Sequence, residues 1–262
     1  MIRAVFAARS ADLRERPNEG KRGQGACLDF VFVNPELPSF RRWRAIYRGH
    51  GPISCLRALE YEQLARLDLK GQILDLGGGE KSLYRKQLPA GIAYQSVNID
   101  PDIEPTFLVE PDERLPISDD TYDACICLNT LEHVYDARFL LGEMLRVLKP
   151  GGTAYITVPF IFRVHGHPDD YFRGTPSWWR ESLKRAGFSR AELLPLIWGR
   201  RTTADSIRGT GGLLPGARRG LAHLADIGYG KLMFSSSGGR YAGRRGERIC
   251  DVALGYFISA RK

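Results

Sequence analysis

The sequence predicts an α/β fold: a mainly parallel sheet covered by helices on both faces, with a last strand running antiparallel. Three observations carry that expectation. Short apolar runs alternate with helical patterns between residues 53 and 188. The runs are apolar on both faces, as strands buried beneath two helical layers must be. A glycine cluster, Gly77-Gly78-Gly79, follows the first run directly, which is where ligands of such sheets bind.

The elements follow in order. Residues 53–68 place Ile53, Leu56, Leu59, Leu64 and Leu67 at near-helical spacing, with Lys70-Gly71 as a stop. Gln72–Leu76 reads as the first strand and Ser82–Leu88 as a helix after the glycines. Tyr94–Asp100 is a second strand ending in a carboxylate, Thr106–Val109 a short third, and Tyr122–Leu128 a fourth leading into Asn129-Thr130. Ala137–Leu148 is amphipathic and stops at Pro150-Gly151-Gly152; Thr153–Val158 is the fifth strand. A helix over Ser177–Gly187 and a strand over Arg190–Ile197 come next. Residues 198–246 hold 12 of the 29 glycines and little apolar periodicity, so they read as a long flexible insertion. Val252–Ser259 alternates as a last strand, expected to pair antiparallel at or near a sheet edge.

Composition bounds the rest. With 262 residues, 43% apolar and 26% charged, the chain is neither disordered nor collagen-like. The reading divides it into residues 1–50, a basic arm with a helical segment, and 51–262, one domain carrying the Gly/Arg-rich insertion. No apolar run approaches the roughly 20 residues that span a bilayer, and the opening residues lack the pattern of an export signal. A cytoplasmic protein is expected. Five cysteines show no paired spacing; Cys125 and Cys127, two apart on one strand, cannot form a disulfide.

The net charge of +8 is uneven. Residues 1–50 carry ten basic and five acidic side chains, 51–197 sixteen and twenty-one, and 198–248 ten and three. Basic flanks suit phosphate, anionic headgroups, which would mean peripheral membrane contact, or acidic glycans; they serve equally as solvated surface. Without aromatic RNA-binding signatures or zinc spacing, a nucleic-acid partner would rest on charge alone.

The chemistry concentrates at the strand ends. In ILDLGGGEK, residues 73–81, a strand meets Gly77-x-Gly79, so bare backbone can approach a ligand and offer unpaired N–H groups. A dinucleotide fingerprint would require glycine where Ser82 stands. Asp75 and Glu80 flank the turn; carboxylates there disfavour a pyrophosphate and favour a ligand with an ammonium group. Asp100, 21 residues past Gly79, stands where an acid can accept both hydroxyls of a ribose.

These segments, with VNIDPD and LPISDDTYDACICLNTLEHVYDARFLLGEMLRVLKPGGTAYITVPF, resemble the class I S-adenosylmethionine-dependent methyltransferases in order and spacing. The match covers roughly residues 55–190 and is most specific over 115–159. The resemblance implies a Rossmann-like class I methyltransferase fold with S-adenosylmethionine as cofactor. It implies that Asp75, Gly77 and Gly79 line the methionine end, that Asp100 binds the ribose, and that Asn129 to His133 border the methyl-transfer cavity. An acid usually found four residues before the Leu of Leu115-Pro116 is here Pro111, so the adenine-side role falls to Glu110, Asp112 or Glu113. Residues 158–188 are similar to a bacterial subgroup with an H-P-x-D-Y-x-R segment, associated with cell-surface sugar and lipid-linked glycan pathways.

His165, His167, Asp169, Asp170, Tyr171 and Arg173 crowd nine residues of that segment. A hydroxyl acceptor benefits from a base near neutral pH, and imidazole suits that task. His167 or His165 is the candidate base with Asp169 or Asp170 orienting it; His133 is a third candidate. Asp170, Tyr171 and Arg173 would hold the acceptor, Arg173 best if it is anionic. The same loop also reads as a hydrogen-bonded lid. Trp178 and Trp179 either stack on a sugar or simply pack. His165 and His167 lack further ligands at zinc spacing, so no metal is assigned. The expected activity is methylation, at oxygen, of a small-molecule or glycan-type acceptor. The rivals are a nicotinamide oxidoreductase, a cofactor-binding regulatory protein without turnover, and an RNA methyltransferase using the basic flanks.

Overall fold

The computed structural model describes residues 27–48, 53–166, 169–209, 211, 214–234 and 250–262. Its centre is one eight-stranded sheet: β1 (Asp29–Phe32), β2 (Gln72–Leu76), β3 (Ala93–Asn98), β4 (Phe107–Leu108), β5 (Tyr122–Leu128), β6 (Leu148–Pro159), β7 (Arg190–Leu196) and β8 (Gly255–Arg261). The order is β1-β7-β8-β6-β5-β2-β3-β4. Only the pairings of β8, with β6 and with β7, are antiparallel. From β2 in mid-sheet the chain builds outward through β3 and β4, then returns to β5 on the other side of β2. That reversal opens a crevice beyond the carboxyl ends of β2 and β5.

Among the described residues six helices cover the sheet: α1 (Phe40–Tyr47), α2 (Cys55–Leu64), α3 (Ala137–Val147), α4 (Pro176–Ala186), α5 (Arg200–Arg208) and α6 (Pro215–Phe234). Leu141, Met144 and Val147 of α3 and Trp179 and Leu183 of α4 pack with Cys125, Cys127 and Ile156 in one core layer. Leu59 of α2, Ile46 of α1 and Ile227 of α6 join Trp198, Leu254 and Phe257 in another. The side chain of Ser54 caps α2 by accepting from the Arg57 N–H at 3.1 Å, which fixes that helix over the crevice. No helix among the described residues is long and apolar enough to cross a membrane.

β8 pairs antiparallel as expected, near the edge rather than at it, between β6 and β7. Several expectations are corrected. The edge strand on that side is β1, parallel to β7 and unmarked in the sequence because its four residues carry no alternation. Ser82–Leu88 is not a helix; only a 3-10 turn, Arg85–Gln87, forms. Tyr84 turns inward there to hydrogen-bond Asp75, and Pro89 follows too closely for a helix to extend. Pro150-Gly151-Gly152 lies within β6, where the pairing with β5 shifts register. Residues 198–234 are not a structureless insertion. They hold α5 and α6, with Thr202, Asp205, His223, Asp226 and Ile227 buried. Both carboxylate oxygens of Asp226 accept from the first N–H groups of α5, those of Arg201 (3.2 Å) and Thr202 (2.8 Å). One helix thus caps the other, a contact no local pattern reveals.

Candidate active site

A cleft of about 550 Å3 occupies the crevice at the reversal point, within the size range of small-molecule sites. Gly77, Asp100, Glu110, Asp112, Glu113, Asn129, His133 and His165 line it, together with the apolar Leu76, Val97, Val109 and Leu115. Eight of the residues named from sequence thus meet in one space.

Gly77 has φ +89°, and a Cβ there would overlap the side chain of Thr130. Glycine is required on both counts. The N–H groups expected to be unpaired are used internally: Gly77 donates to the Val97 carbonyl at 2.8 Å, Gly79 to Ser82 Oγ at 2.9 Å. Gly79 lies behind the cleft wall against the Ile103 carbonyl.

Asp75 is fully buried beneath the turn rather than on the cleft surface. Tyr84 donates to it at 2.8 Å and Tyr94 at 2.7 Å. Burial pushes its carboxyl up to about 7, against the lowering effect of those hydroxyls and of Arg85. Its role is to brace the glycine turn. Asp100 lies two residues beyond β3, not at its last position. It heads a 3-10 turn by accepting from the Asp102 N–H at 2.9 Å while bordering the cleft. Glu110, Asp112 and Glu113 all reach the cleft, so the geometry does not single out one of them.

Asn129 takes φ +51° as the chain leaves β5. Its Nδ2 donates to Glu60 Oε2 on α2 at 3.0 Å. Glu60 and Arg57 adjoin this site without having been named from the sequence, and Glu132, within the Asn129–His133 stretch expected at the cavity, was given no role of its own. Glu60 and Glu132 are buried, each only 1% exposed. Burial, reinforced by the Glu60 charge, pushes Glu132 up to about 8. Neither Glu132 oxygen has a hydrogen-bond partner, nor does Glu60 Oε1 or Asn129 Oδ1. Arg57 borders the cleft with its guanidinium 3.5 Å from Glu60. The signal available was the adjacency of Glu132 to His133; Glu60 and Arg57 looked like ordinary solvent-side residues of a helix.

The loop after β6 contributes His165. Nδ1 of His165 lies 3.2 Å from the Arg163 carbonyl and 3.4 Å from Asp170 Oδ2. The His133 and His165 rings meet edge to face, centroids 5.2 Å apart. His133 Nδ1 bonds the Asp169 carbonyl, and Tyr171 N–H donates to the Glu132 carbonyl at 2.8 Å. The loop is therefore pinned to the segment after β5. Asp170 and Arg173 form a bidentate pair. The guanidinium holds the Asp170 carboxyl down to about 2, and the pair is committed to shaping the loop rather than to the cleft lining. Tyr171 is half exposed, donates to Asp169 at 3.1 Å and packs edge-on against Tyr135. Trp179 is buried, its indole N–H donating to the Gly174 carbonyl, and Trp178 packs on Phe172. Packing is what both tryptophans do. His167 lies outside the described residues.

Residues 74–156 match the family model for a methyltransferase domain. This segment resembles a methyltransferase domain. It contains β2 to β6 apart from their outermost residues, hence the glycine turn, Asp100, Asn129 and His133. Counted from β2, the sheet order reads 3-2-1-4-5-7-6 with the seventh strand antiparallel, the Rossmann-like class I methyltransferase fold. The chain is 36% identical over 96 residues to an uncharacterized methyltransferase of Mycobacterium bovis, covering 32% of this chain and 38% of that protein. It is 32% identical over 126 residues to one of Mycobacterium avium, covering 44% and 43%. It thus spans less than half the length of these curated relatives. Among solved structures, a SAM-dependent methyltransferase from Archaeoglobus fulgidus aligns with TM-score 0.49 at 17% identity, over 85% of this chain and 99% of that one. A possible histamine N-methyltransferase from Thermotoga maritima aligns with TM-score 0.49 at 14% identity, over 85% and 94%.

Proposed function

We propose that the protein transfers a methyl group from S-adenosylmethionine to a hydroxyl of a small-molecule or glycan-type acceptor. The observation that supports this best is the gathering, in one cleft of a methyltransferase domain, of a bare glycine turn, Asp100 and the acidic segment 110–113. The donor set fits the cofactor. Asp100 offers a carboxylate to ribose hydroxyls, Val109 and Leu115 offer apolar surface to a purine, and Arg57 offers the cation a methionine carboxylate needs. When bound, S-adenosylmethionine supplies an electrophilic methyl carbon whose bond pair stays on sulfur as the acceptor oxygen attaches.

The chain's own residues do the rest. His133 and His165, at the cleft beside Asn129, are placed to orient an acceptor hydroxyl and to receive its proton. Alignment of two reactants in one cleft supplies much of the acceleration. The Asp170–Arg173 pair holds His165 in position, since Asp170 Oδ2 accepts from the His165 backbone N–H at 2.9 Å. The H-P-x-D-Y-x-R loop resemblance supports an acceptor of glycan type.

The test is twofold. Calorimetry should show S-adenosylhomocysteine binding with one site per chain, weakened at least tenfold in Asp100→Ala. Incubation with radiolabelled methyl donor and fractionated cell extract should label a small-molecule, lipid or glycan fraction. Tight NAD binding without S-adenosylhomocysteine binding, or label confined to protein or RNA, would refute the proposal.

A further inference from the structure

Three acceptor atoms converge at the edge of the cleft. Glu132 is 1% exposed, and neither of its carboxylate oxygens has a hydrogen-bond partner. Nε2 of His133 lies 3.7 Å from Glu132 Oε1, and Nε2 of His165 lies 4.0 Å from the same oxygen. One ligand atom from each of Glu132, His133 and His165 lies within 4.8 Å of the other two.

The tautomers follow from the opposite side of each ring. His133 Nδ1 faces the Asp169 carbonyl, and His165 Nδ1 faces the Arg163 carbonyl and a carboxylate oxygen of Asp170. Carbonyl and carboxylate oxygens only accept, so in both rings Nδ1 carries the hydrogen and Nε2 is the basic nitrogen. Two basic nitrogens and a carboxylate oxygen therefore face one point. Separations of 3.7 and 4.0 Å are too long for hydrogen bonds. A shared proton would in any case serve only one pair. A metal ion with bonds of about 2.0–2.2 Å serves all three, since its ligand atoms stand roughly 3 to 4 Å apart. Backbone and carboxylate oxygens behind metal-bound imidazoles are also the usual orienting partners.

We infer that Glu132, His133 and His165 form a divalent transition-metal site, of the zinc type, at the acceptor end of the cleft. Two histidines, one carboxylate and an open fourth position are the donor set of catalytic zinc rather than of a closed structural site. Both histidines line the cleft, so the open position faces the space where an acceptor enters. An ion there lowers the pKa of an oxygen that reaches it, and the released proton passes to water. In the loaded protein the imidazoles act as ligands and the ion takes over their activating role. That role rests on the methyltransferase reading; the binding of the ion does not.

The experiment is a titration of the chelator-treated 262-residue chain with Co2+ alone, followed by visible absorption, then displacement with Zn2+. One equivalent per chain should produce the intense bands of a low-coordinate site. His165→Ala and the near-isosteric Glu132→Gln should each weaken Co2+ binding at least tenfold, while Cys27→Ser, which removes an exposed thiol, should leave it unchanged. Circular dichroism and S-adenosylhomocysteine titration of each variant report whether the fold and the cofactor cleft are intact. Absence of a stoichiometric wild-type complex, or wild-type affinity in both ligand variants, overturns the site. Cofactor binding without Co2+ binding refutes the metal site alone; Co2+ binding without cofactor binding refutes the methyltransferase reading alone.

Discussion

The buried carboxyl beneath the glycine turn makes stability depend on pH in a direction opposite to that of most carboxylates. Asp75 titrates near 7 in the folded chain, against an ordinary value of 3.8, because burial penalises its charged form more than two tyrosine hydroxyls and Arg85 favour it. A raised folded pKa means that the folded state holds the proton more tightly than the unfolded state does. The resulting stabilisation is fully present below about pH 4 and is lost as pH rises through 7. A separation of about three units corresponds to roughly 4 kcal/mol across the whole range, of which roughly 2 to 3 kcal/mol falls between pH 5 and pH 8. Asp75→Asn cannot ionise and should lack this term. At pH 5 the variant should be the less stable protein, having exchanged a well-matched acceptor for an amide. By pH 8 the wild-type-minus-variant difference should have moved by roughly 2 to 3 kcal/mol in the variant's favour. Urea denaturation of both proteins at half-unit pH intervals measures this, and the difference cancels every other titrating group. A difference that stays constant with pH, or that moves toward the wild type as pH rises, refutes the argument.

Three further outcomes follow from single contacts. Gly77→Ala should abolish S-adenosylhomocysteine binding, a loss of at least a hundredfold by calorimetry, because the residue has positive φ and its new methyl would overlap Thr130. Arg173→Ala removes the cation partner of the partly buried Asp170 carboxylate, which keeps the His165 N–H, and should cost about 1 to 3 kcal/mol in chemical denaturation; Asp170→Asn with Arg173→Met together should cost less than the single change. Asp226→Ala uncaps α5 and leaves two N–H groups without their acceptor. It should lower stability by roughly 2 kcal/mol, whereas an unstructured 198–234 segment would leave the melting temperature unmoved.

The parallel half of the sheet was legible because its strands are buried on both faces and so read as unbroken apolar runs. β5, Tyr122–Leu128, has the boundaries its apolar run predicts. β3 and β6 differ at their ends for local reasons: Asp100 serves a turn rather than a strand, and Gly151 is accommodated inside a bulged strand at φ +80°. The two helices of 198–234 were illegible because their stability is not periodic. α5 is polar along its length; Thr203 and Asp205 are buried by a bond to the Val252 carbonyl and by an ion pair with Arg218. Glycine content signalled flexibility there, yet a tertiary cap and the burial of Trp198 and Ile227 override it.

At the site, residues were legible where the backbone imposes the requirement and obscure where partnership does. Gly77 follows from a turn that admits no side chain, and Asp100 from its place after a strand. Asp75 was assigned to the cofactor because a carboxylate beside a glycine turn suits a cation, but that argument ignores what lies beneath the turn. Two tyrosines nine and nineteen residues away claim both its oxygens. Asp170 and Arg173 likewise looked like acceptor ligands, and their charges are spent on each other. The inverse holds for Glu132. It sits in the Asn129–His133 stretch without a role of its own in the sequence reading, yet its burial leaves two oxygens unsatisfied. Charged side chains that look free in a sequence can be consumed in the fold, and one given no role can be left with both oxygens unpartnered. The unmet need, rather than the count of polar residues, marks where chemistry remains to be supplied.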